Sequence, residues 1–283
     1  MKKLVLIFGL VILLGGENTF ACETFKCAEP PTAKLSASNI TGVNPIAEQI
    51  ANSIITKQIK QEAKGNFSTK IESYNLSSLK QGIFKSLEIN GTNVEAEGFY
   101  ASSVRLKTLC NYNHIVVNNK ENSVTFKENF GMAYTVRLSE ADLNRTLQNS
   151  SYGAMIRKVN SIGNTYKLFN ITAPSVSIKD NNLYYKMKVL LPLFNVKQEI
   201  VIKTDFKVKN GEIVLDKANL ASGGFNFDTD KLAKLINYLN PLEFSMNLFE
   251  NKDANMQIKE MSIVDNGINV SGIVTVDKDV VMY

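Results

Sequence analysis

Much of this 283-residue chain alternates between apolar and polar residues with a period of two. Residues 132–138 are apolar at even positions, and residues 183–191 are apolar at odd positions. Such alternation is typical of strands with one buried face and one solvated face. Residues 180–182 and the pairs Asn210-Gly211 and Asn266-Gly267 separate successive runs, and Asn-Gly favours a tight hairpin. The sequence therefore predicts a mainly antiparallel sheet.

A longer period precedes the alternating region. Isoleucine and alanine recur at three- and four-residue steps from Ile46 to Ala63. Asn44 and Pro45 are typical of a helix start, and Gly65 is typical of a helix end. The apolar arc drifts around the helix, which would suit a helix lying across a twisted sheet. We expect a long amphipathic helix wrapped by a curved, mainly antiparallel β-sheet.

Two short capped helices are expected between the strands. The first starts at Ser139–Asp142, which approximates a capping box, and buries Leu143 and Leu147. The second is capped by Asp228 or Thr229, and Pro241 helps to end it. Its apolar residues are Leu232, Leu235, Ile236 and Leu239. The fold class predicted from these elements is α+β.

The N-terminus has the pattern of a secretory signal peptide. Lys2 and Lys3 precede an apolar run from Leu4 to Leu14, and small or polar residues follow up to Ala21. We therefore expect residues 1–21 to be a signal peptide, residues 22–42 a tether, and residues 43–283 the folded domain. The protein is expected to be exported to the periplasm or cell envelope.

The three cysteines leave two interpretations open. In one, Cys22 becomes a lipidated N-terminus that anchors the protein, and Cys27 pairs with Cys110. In the other, the protein is secreted without lipid, with a Cys22–Cys27 or Cys27–Cys110 disulfide and one spare thiol. Thr19-Phe20-Ala21 is a poor lipidation signal, which weighs against the first interpretation.

The composition argues against several function classes. A net charge of +5, spread along the chain, is too small and too diffuse to predict nucleic-acid binding. His114 is the single histidine, and no third ligand or orienting carboxylate lies near Cys110 and His114 in the sequence. A hydrolase would need a perturbed titratable cluster in a cleft, and no motif of that kind is recognisable. We predict no metal, no cofactor and no enzymatic activity.

Five short segments occur in a recognisable order: residues 82–89 (GIFKSLEI), 104–106 (VRL), 136–144 (VRLSEADLN), 239–242 (LNPL) and 263–272 (IVDNGINVSG). In this order, residues 43–276 resemble the LmeA-like phospholipid-binding family of bacterial envelope proteins. That resemblance implies a tubular, BPI-like lipid-binding architecture and provides no catalytic or ligand-binding residues to transfer.

The expected function is non-enzymatic binding of phospholipid or a related acyl or prenyl lipid at a membrane surface. The acyl or prenyl chains of the lipid would lie in an apolar groove between the helix and the sheet. The alternative is a structural or adhesive envelope protein with a filled core and no ligand. The oligomeric state stays open. The candidate lipid-contacting residues are Ile46, Ile50, Ile54, Leu87, Ile89, Val104, Leu106, Val136, Tyr185, Met187, Val189, Ile202 and Phe206.

A basic series runs along the end of the predicted helix. Lys57, Lys60 and Lys64 are interpreted first as cations that complement the helix dipole. The alternative interpretation is a basic rim that meets anionic lipid headgroups.

Overall fold

The computed structural model describes residues 25–30, 43–118, 121, 123–166, 169–192, 195–222, 229–247 and 254–282. The expected signal peptide, Cys22, most of the expected tether and Asp228 lie outside these residues. The helices are α1 Val43–Glu62, α2 Leu76–Lys80, α3 Glu140–Leu147, α4 Ser150–Thr165, α5 Thr229–Tyr238 and α6 Pro241–Asn247.

Strands make up most of the described chain. Their bounds are β1 Lys64–Glu72, β2 Ile83–Phe84, β3 Ser86–Ala96, β4 Phe99–Thr108, β5 Asn113–Asn118, β6 Ser123–Phe126, β7 Phe130–Ser139, β8 Asn170–Lys179, β9 Asn182–Leu191, β10 Val196–Lys209, β11 Glu212–Ser222, β12 Asn255–Val264, β13 Gly267–Val276 and β14 Val281–Met282.

These strands form three sheets in which every described pair is antiparallel. A six-stranded sheet has the order β1-β3-β4-β7-β13-β12, and two four-stranded sheets have the orders β11-β10-β9-β8 and β14-β6-β5-β2. In the largest sheet the distant strands β7 and β13 pair with Val136 opposite Val270. The prediction of a mainly antiparallel sheet is confirmed.

Three hairpin turns have the backbone conformation that their residues favour. Asp180-Asn181 and Asn210-Gly211 both have positive φ at their two central residues, as a type I′ turn requires. The third turn is centred on Asp265-Asn266, one residue before the expected Asn266-Gly267. Gly267 instead opens β13 and pairs with Ser139.

The core is one hydrophobic cluster filled from the inward faces of the sheets and from the helices. Its largest fully buried side chains include Phe99, Phe126, Tyr134, Tyr152 and Tyr185. In α3, Leu143 and Leu147 are buried as predicted, and Ser139 and Asp142 form a reciprocal capping box. Aromatic and aliphatic side chains therefore pack the space that the alternating strands enclose.

The predicted fold class is wrong. The described chain is mostly β, with three antiparallel sheets, and no sheet wraps a long amphipathic helix. The 20-residue helix α1 lies along β1, which is an edge strand of the six-stranded sheet. The prediction failed because polar side chains of α1 contact the edge of the sheet, whereas the isoleucines near the start of the helix do not.

The helix inventory also differs from the expectation of two short helices. Five helices shorter than α1 occur in the described ranges, and α2, α4 and α6 were not anticipated. Pro241, which was expected to end a helix, is the first residue of α6. Proline suits that position because the first helical residue has no intrahelical partner for an N–H group.

Candidate functional site

The three isoleucines near the start of α1 face solvent. Ile46, Ile50 and Ile54 are 61%, 57% and 54% exposed. They recur at four-residue steps and therefore lie in one line along the helix. We call this line the isoleucine face. Ile59, further along the same helix, is fully buried.

A polar line on another side of α1 contacts the edge strand. The carboxylate of Glu48 accepts hydrogen bonds from the backbone N–H and the hydroxyl of Ser73, each at 2.7 Å. The Asn52 Oδ1 atom accepts from the Ile71 N–H at 2.8 Å. An edge strand exposes unpaired backbone groups, so these side chains satisfy donors that the sheet leaves open.

Thr56, the third residue of the polar line, also contacts β1. The Thr69 hydroxyl donates to the Asn52 carbonyl oxygen at 2.9 Å, and the Thr56 and Thr69 hydroxyl oxygens are 2.9 Å apart. Because Thr69 uses its proton on Asn52, Thr56 is the donor to Thr69. Glu48, Asn52 and Thr56 follow the same four-residue step as the isoleucines, so their spacing in the sequence was a signal for this contact.

The structure divides the predicted lipid-contacting residues into two sets. The isoleucine face is exposed, whereas the ten predicted strand residues are not. Nine of them are buried, and Phe206 is partly buried. All ten belong to or pack against the hydrophobic core. They are Leu87, Ile89, Val104, Leu106, Val136, Tyr185, Met187, Val189, Ile202 and Phe206.

Two open clefts lie between α1 and β1. One, of about 520 Å³, has mixed charge, with Glu48 and Glu72 beside Lys70 and Lys85. Lys70 is paired with Glu72 at 3.0 Å. The pKa of Glu72 is held below its ordinary value by this hydrogen bond and charge. Two of the four charged side chains in this cleft therefore neutralise each other directly.

The second cleft, of about 640 Å³, is lined by basic and uncharged polar residues. Lys57 and Lys60 contribute from α1, and Ser68 contributes from β1. Lys64, the third member of the basic series, is instead paired with Glu95 at 2.9 Å. Its hydrogen bond with Glu95 raises the pKa of Lys64. The basic series is thus split into one paired lysine and two that line the cleft.

The cysteine and histidine residues do not form a reactive pair. Cys27 and Cys110 are joined in a disulfide with Cα atoms 5.5 Å apart, which is one of the pairings that the sequence left open. Burial lowers the pKa of His114. With its sulfur in a disulfide, Cys110 has no thiolate that could act as a nucleophile.

A buried tyrosine pair connects α4, β9 and the residue after α5. Tyr152 donates to the Leu239 carbonyl oxygen at 2.7 Å, and the two hydroxyl oxygens of Tyr152 and Tyr185 are 2.8 Å apart. Tyr185 is therefore the donor to Tyr152. Burial raises the pKa of Tyr152, and it raises the pKa of Tyr185 to about 12. We assign the pair a structural role, because both hydroxyls have hydrogen-bond partners in the core.

No group of three or more His, Cys, Asp or Glu side chains suitable for a metal ion occurs in the described ranges. None of the helices in that part of the chain is long and apolar enough to cross a membrane. No protein-family model, curated protein or solved structure matches the chain. The family resemblance stays a prediction.

Proposed function

We propose that the protein binds phospholipid bilayers in the cell envelope without catalysing a reaction, and that the isoleucine face is the part that enters the membrane. The observation that carries this proposal is the exposure of Ile46, Ile50 and Ile54, each more than half exposed, in one line on a surface helix. Three aligned and exposed large aliphatic side chains indicate an interaction surface more strongly than scattered ones do.

The charges on the helix favour a membrane as the occupant. Among the exposed residues of α1 from 45 to 62, the charged ones are Lys57, Lys60 and the last residue, Glu62. Helices that lie in the membrane interface combine apolar residues with lysine or arginine, which are attracted to anionic lipids. Transfer of the exposed parts of three isoleucines would contribute about 3 kcal/mol, which is enough for weak and reversible binding.

The disulfide joins Cys27 to Cys110 in the folded body. If Cys22 is lipidated, as one interpretation of the sequence holds, five residue steps separate the lipid from Cys27, which is bound to Cys110. A fully extended segment of that length spans at most about 18 Å. One lipid signal alone usually gives marginal attachment, so a second membrane contact from α1 would strengthen it.

A flotation experiment with vesicles tests the proposal. The oxidised chain 22–283 carrying Cys22→Ser removes any lipid anchor, and it is mixed with vesicles of phosphatidylcholine and phosphatidylglycerol. We expect it to float with the vesicles and the triple variant Ile46→Ser/Ile50→Ser/Ile54→Ser to stay in solution. Ile162→Ser is the control for removing an exposed isoleucine elsewhere, because Ile162 is 58% exposed but lies on α4. Equal flotation of all three proteins would contradict the proposal.

The structural role is a second candidate because the predicted strand positions are packed in the core. A protein of that kind would contain no bound lipid after purification and would not float with vesicles. A further outcome is a dimer in sedimentation that the triple isoleucine substitution dissociates. That result would assign the isoleucine face to contact between copies of the chain and would remove the lipid proposal.

A further inference from the structure

We infer that the cleft between α1 and β1 lined by Lys57, Lys60 and Ser68 binds the phosphate of an anionic phospholipid headgroup. This inference rests on the proposed bilayer binding and adds a ligand group and a site to it. We call this site the lysine cleft. It has a volume of about 640 Å³, which is ample for a phosphate and its glycerol.

The lysine cleft is rich in donors that the described chain does not use. No ion pair or side-chain hydrogen bond joins Lys57, Lys60 or Ser68 to another residue in the described ranges. Gln49 and Asn52 also line the cleft. Because the Asn52 oxygen accepts from the Ile71 N–H, its other terminal atom is the NH₂ group, a donor.

Some of the acceptors in the cleft are already occupied. The Thr69 hydroxyl donates to the Asn52 carbonyl oxygen and accepts from Thr56. No carboxylate lines the cleft, in contrast to the neighbouring one with Glu48 and Glu72. A site with two ammonium groups, amide and hydroxyl donors and no acid favours an anion with several acceptor oxygens. Phosphate fits that description.

The position of the cleft favours a lipid phosphate over a free one. Lys57 is three residues after Ile54 and seven after Ile50, so it shares their side of the helix. Ser53 is an exposed residue between Ile50 and Ile54 and also lines the cleft. A phosphate bound here therefore lies beside the isoleucine face, as headgroups lie beside acyl chains at a bilayer surface.

The test compares two charge-matched double variants of the oxidised 22–283 chain with Cys22→Ser. Lys57→Gln/Lys60→Gln removes the cleft lysines, and Lys158→Gln/Lys179→Gln removes two exposed lysines from α4 and β8. For vesicles containing phosphatidylglycerol we expect the cleft variant to bind about 30-fold more weakly, the ratio that corresponds to about 2 kcal/mol. The control should stay within about threefold, because its lysines lie elsewhere and exposed charges are screened by salt.

Ser68→Ala distinguishes a built site from a general positive field. It removes one donor and no charge, and we expect at least about tenfold weaker binding to the same vesicles, as for the loss of one hydrogen bond to a charged acceptor. An unchanged affinity in Ser68→Ala, or equal losses in the two lysine double variants, would overturn the phosphate site. Bilayer binding by the isoleucine face would survive either result.

Two further outcomes separate the sources of phosphate. Failure of the unsubstituted chain to bind any vesicle would remove the proposed function and this inference together. Titration with inorganic phosphate, followed by amide chemical shifts of residues 53–69, is expected to give only millimolar affinity. Micromolar binding of inorganic phosphate without vesicle binding would overturn the lipid assignment and identify a site for the free ion.

Discussion

Glu48 on α1 accepts two hydrogen bonds from Ser73, one from its backbone N–H and one from its hydroxyl, both at 2.7 Å. Ser73 follows β1 directly and is buried. The helix is thus attached to the edge of the six-stranded sheet through a carboxylate. This polar attachment determines which side of α1 is left for solvent and places the isoleucine face there.

Glu48→Ala should release the first half of α1 from the sheet edge. It leaves two donors of a buried serine unsatisfied, and we expect the free energy of unfolding to fall by about 1–3 kcal/mol. Hydrogen exchange at the Ser73 amide should also become faster. Urea unfolding and amide exchange measure the two effects.

Gln49→Ala is the control for this change. Gln49 is the next residue of the helix, and its side chain is exposed. Its removal should leave both the unfolding midpoint and the Ser73 exchange rate unchanged. Equal losses from the two substitutions would show that the Glu48–Ser73 contact does not account for the effect.

The orientation of α1 shows why sequence periodicity was insufficient. Both Ile46-Ile50-Ile54 and Glu48-Asn52-Thr56 have the four-residue step of a helix side, and hydrophobic burial favoured the first as the inner side. The open backbone donors of an edge strand reversed that preference for the first half of the helix. Whether a helix meets a sheet face or a sheet edge depends on strand order, which local patterns do not specify.

The capping box of α3 predicts which of two substitutions, Ser139→Ala or Asp142→Ala, lowers stability more. The Ser139 hydroxyl accepts from the Asp142 N–H at 3.1 Å, so Ser139→Ala should cost about 1 kcal/mol. The Asp142 carboxylate accepts from the Ser139 N–H and also from Ser102 on β4, so Asp142→Ala should cost more. Thermal unfolding tests the order, and vesicle binding per folded molecule should persist in both variants. The reverse order, or loss of vesicle binding at unchanged melting temperature, would contradict this account.

The turns and helix caps could be predicted because the residues that form them are close together in the sequence. Asn210-Gly211 supplies positive φ within the turn itself, and Ser139–Asp142 supplies both partners of a capping box. Helix α4 was missed although Tyr152, Ile156 and Val159 follow helical steps, because glycines interrupt the segment. Gly163 is required there, since a Cβ atom would lie 2.3 Å from the Phe169 carbonyl oxygen. That close approach is tertiary and has no local signature.

The buried tyrosine pair should make stability fall at high pH. An unfolded tyrosine ionises near pH 10, whereas the pKa of Tyr185 in the folded protein is about 12 and that of Tyr152 is also raised. The contribution is therefore complete below pH 10. For Tyr185 it is lost between about pH 10 and 12, and for Tyr152 the loss also starts near pH 10, with a slope of about 1.4 kcal/mol per pH unit for each tyrosine. Urea unfolding at a series of pH values measures this slope.

Tyr185→Phe should reduce that slope by about 1.4 kcal/mol per pH unit, since Tyr152 still donates to Leu239 and keeps its own contribution. Tyr166→Phe is the control, because Tyr166 is 68% exposed. It should leave the slope unchanged. A slope insensitive to Tyr185→Phe would show that other groups cause the alkaline loss.

The disulfide and the N-terminus can be tested by counting thiols. With Cys27 and Cys110 paired, an exported chain that begins at an unmodified Cys22 should have one titratable thiol in denaturant without reductant. A lipidated Cys22 should leave none and increase the intact mass by several hundred daltons. Three thiols would contradict the pairing, and a mass that includes residues 1–21 would contradict the signal peptide.

The two isoleucines Ile50 and Ile59 provide the last prediction, because they lie on the same helix and differ only in environment. Ile50 is 57% exposed, whereas Ile59 is fully buried in the hydrophobic core. Ile59→Phe inserts volume into a packed core and should lower the free energy of unfolding by about 1–3 kcal/mol. Ile50→Phe should leave stability unchanged and keep or increase vesicle binding, because an aromatic side chain suits the membrane interface. A stability loss for Ile50→Phe as large as that for Ile59→Phe would place Ile50 in a packed contact and remove it from the membrane-binding face.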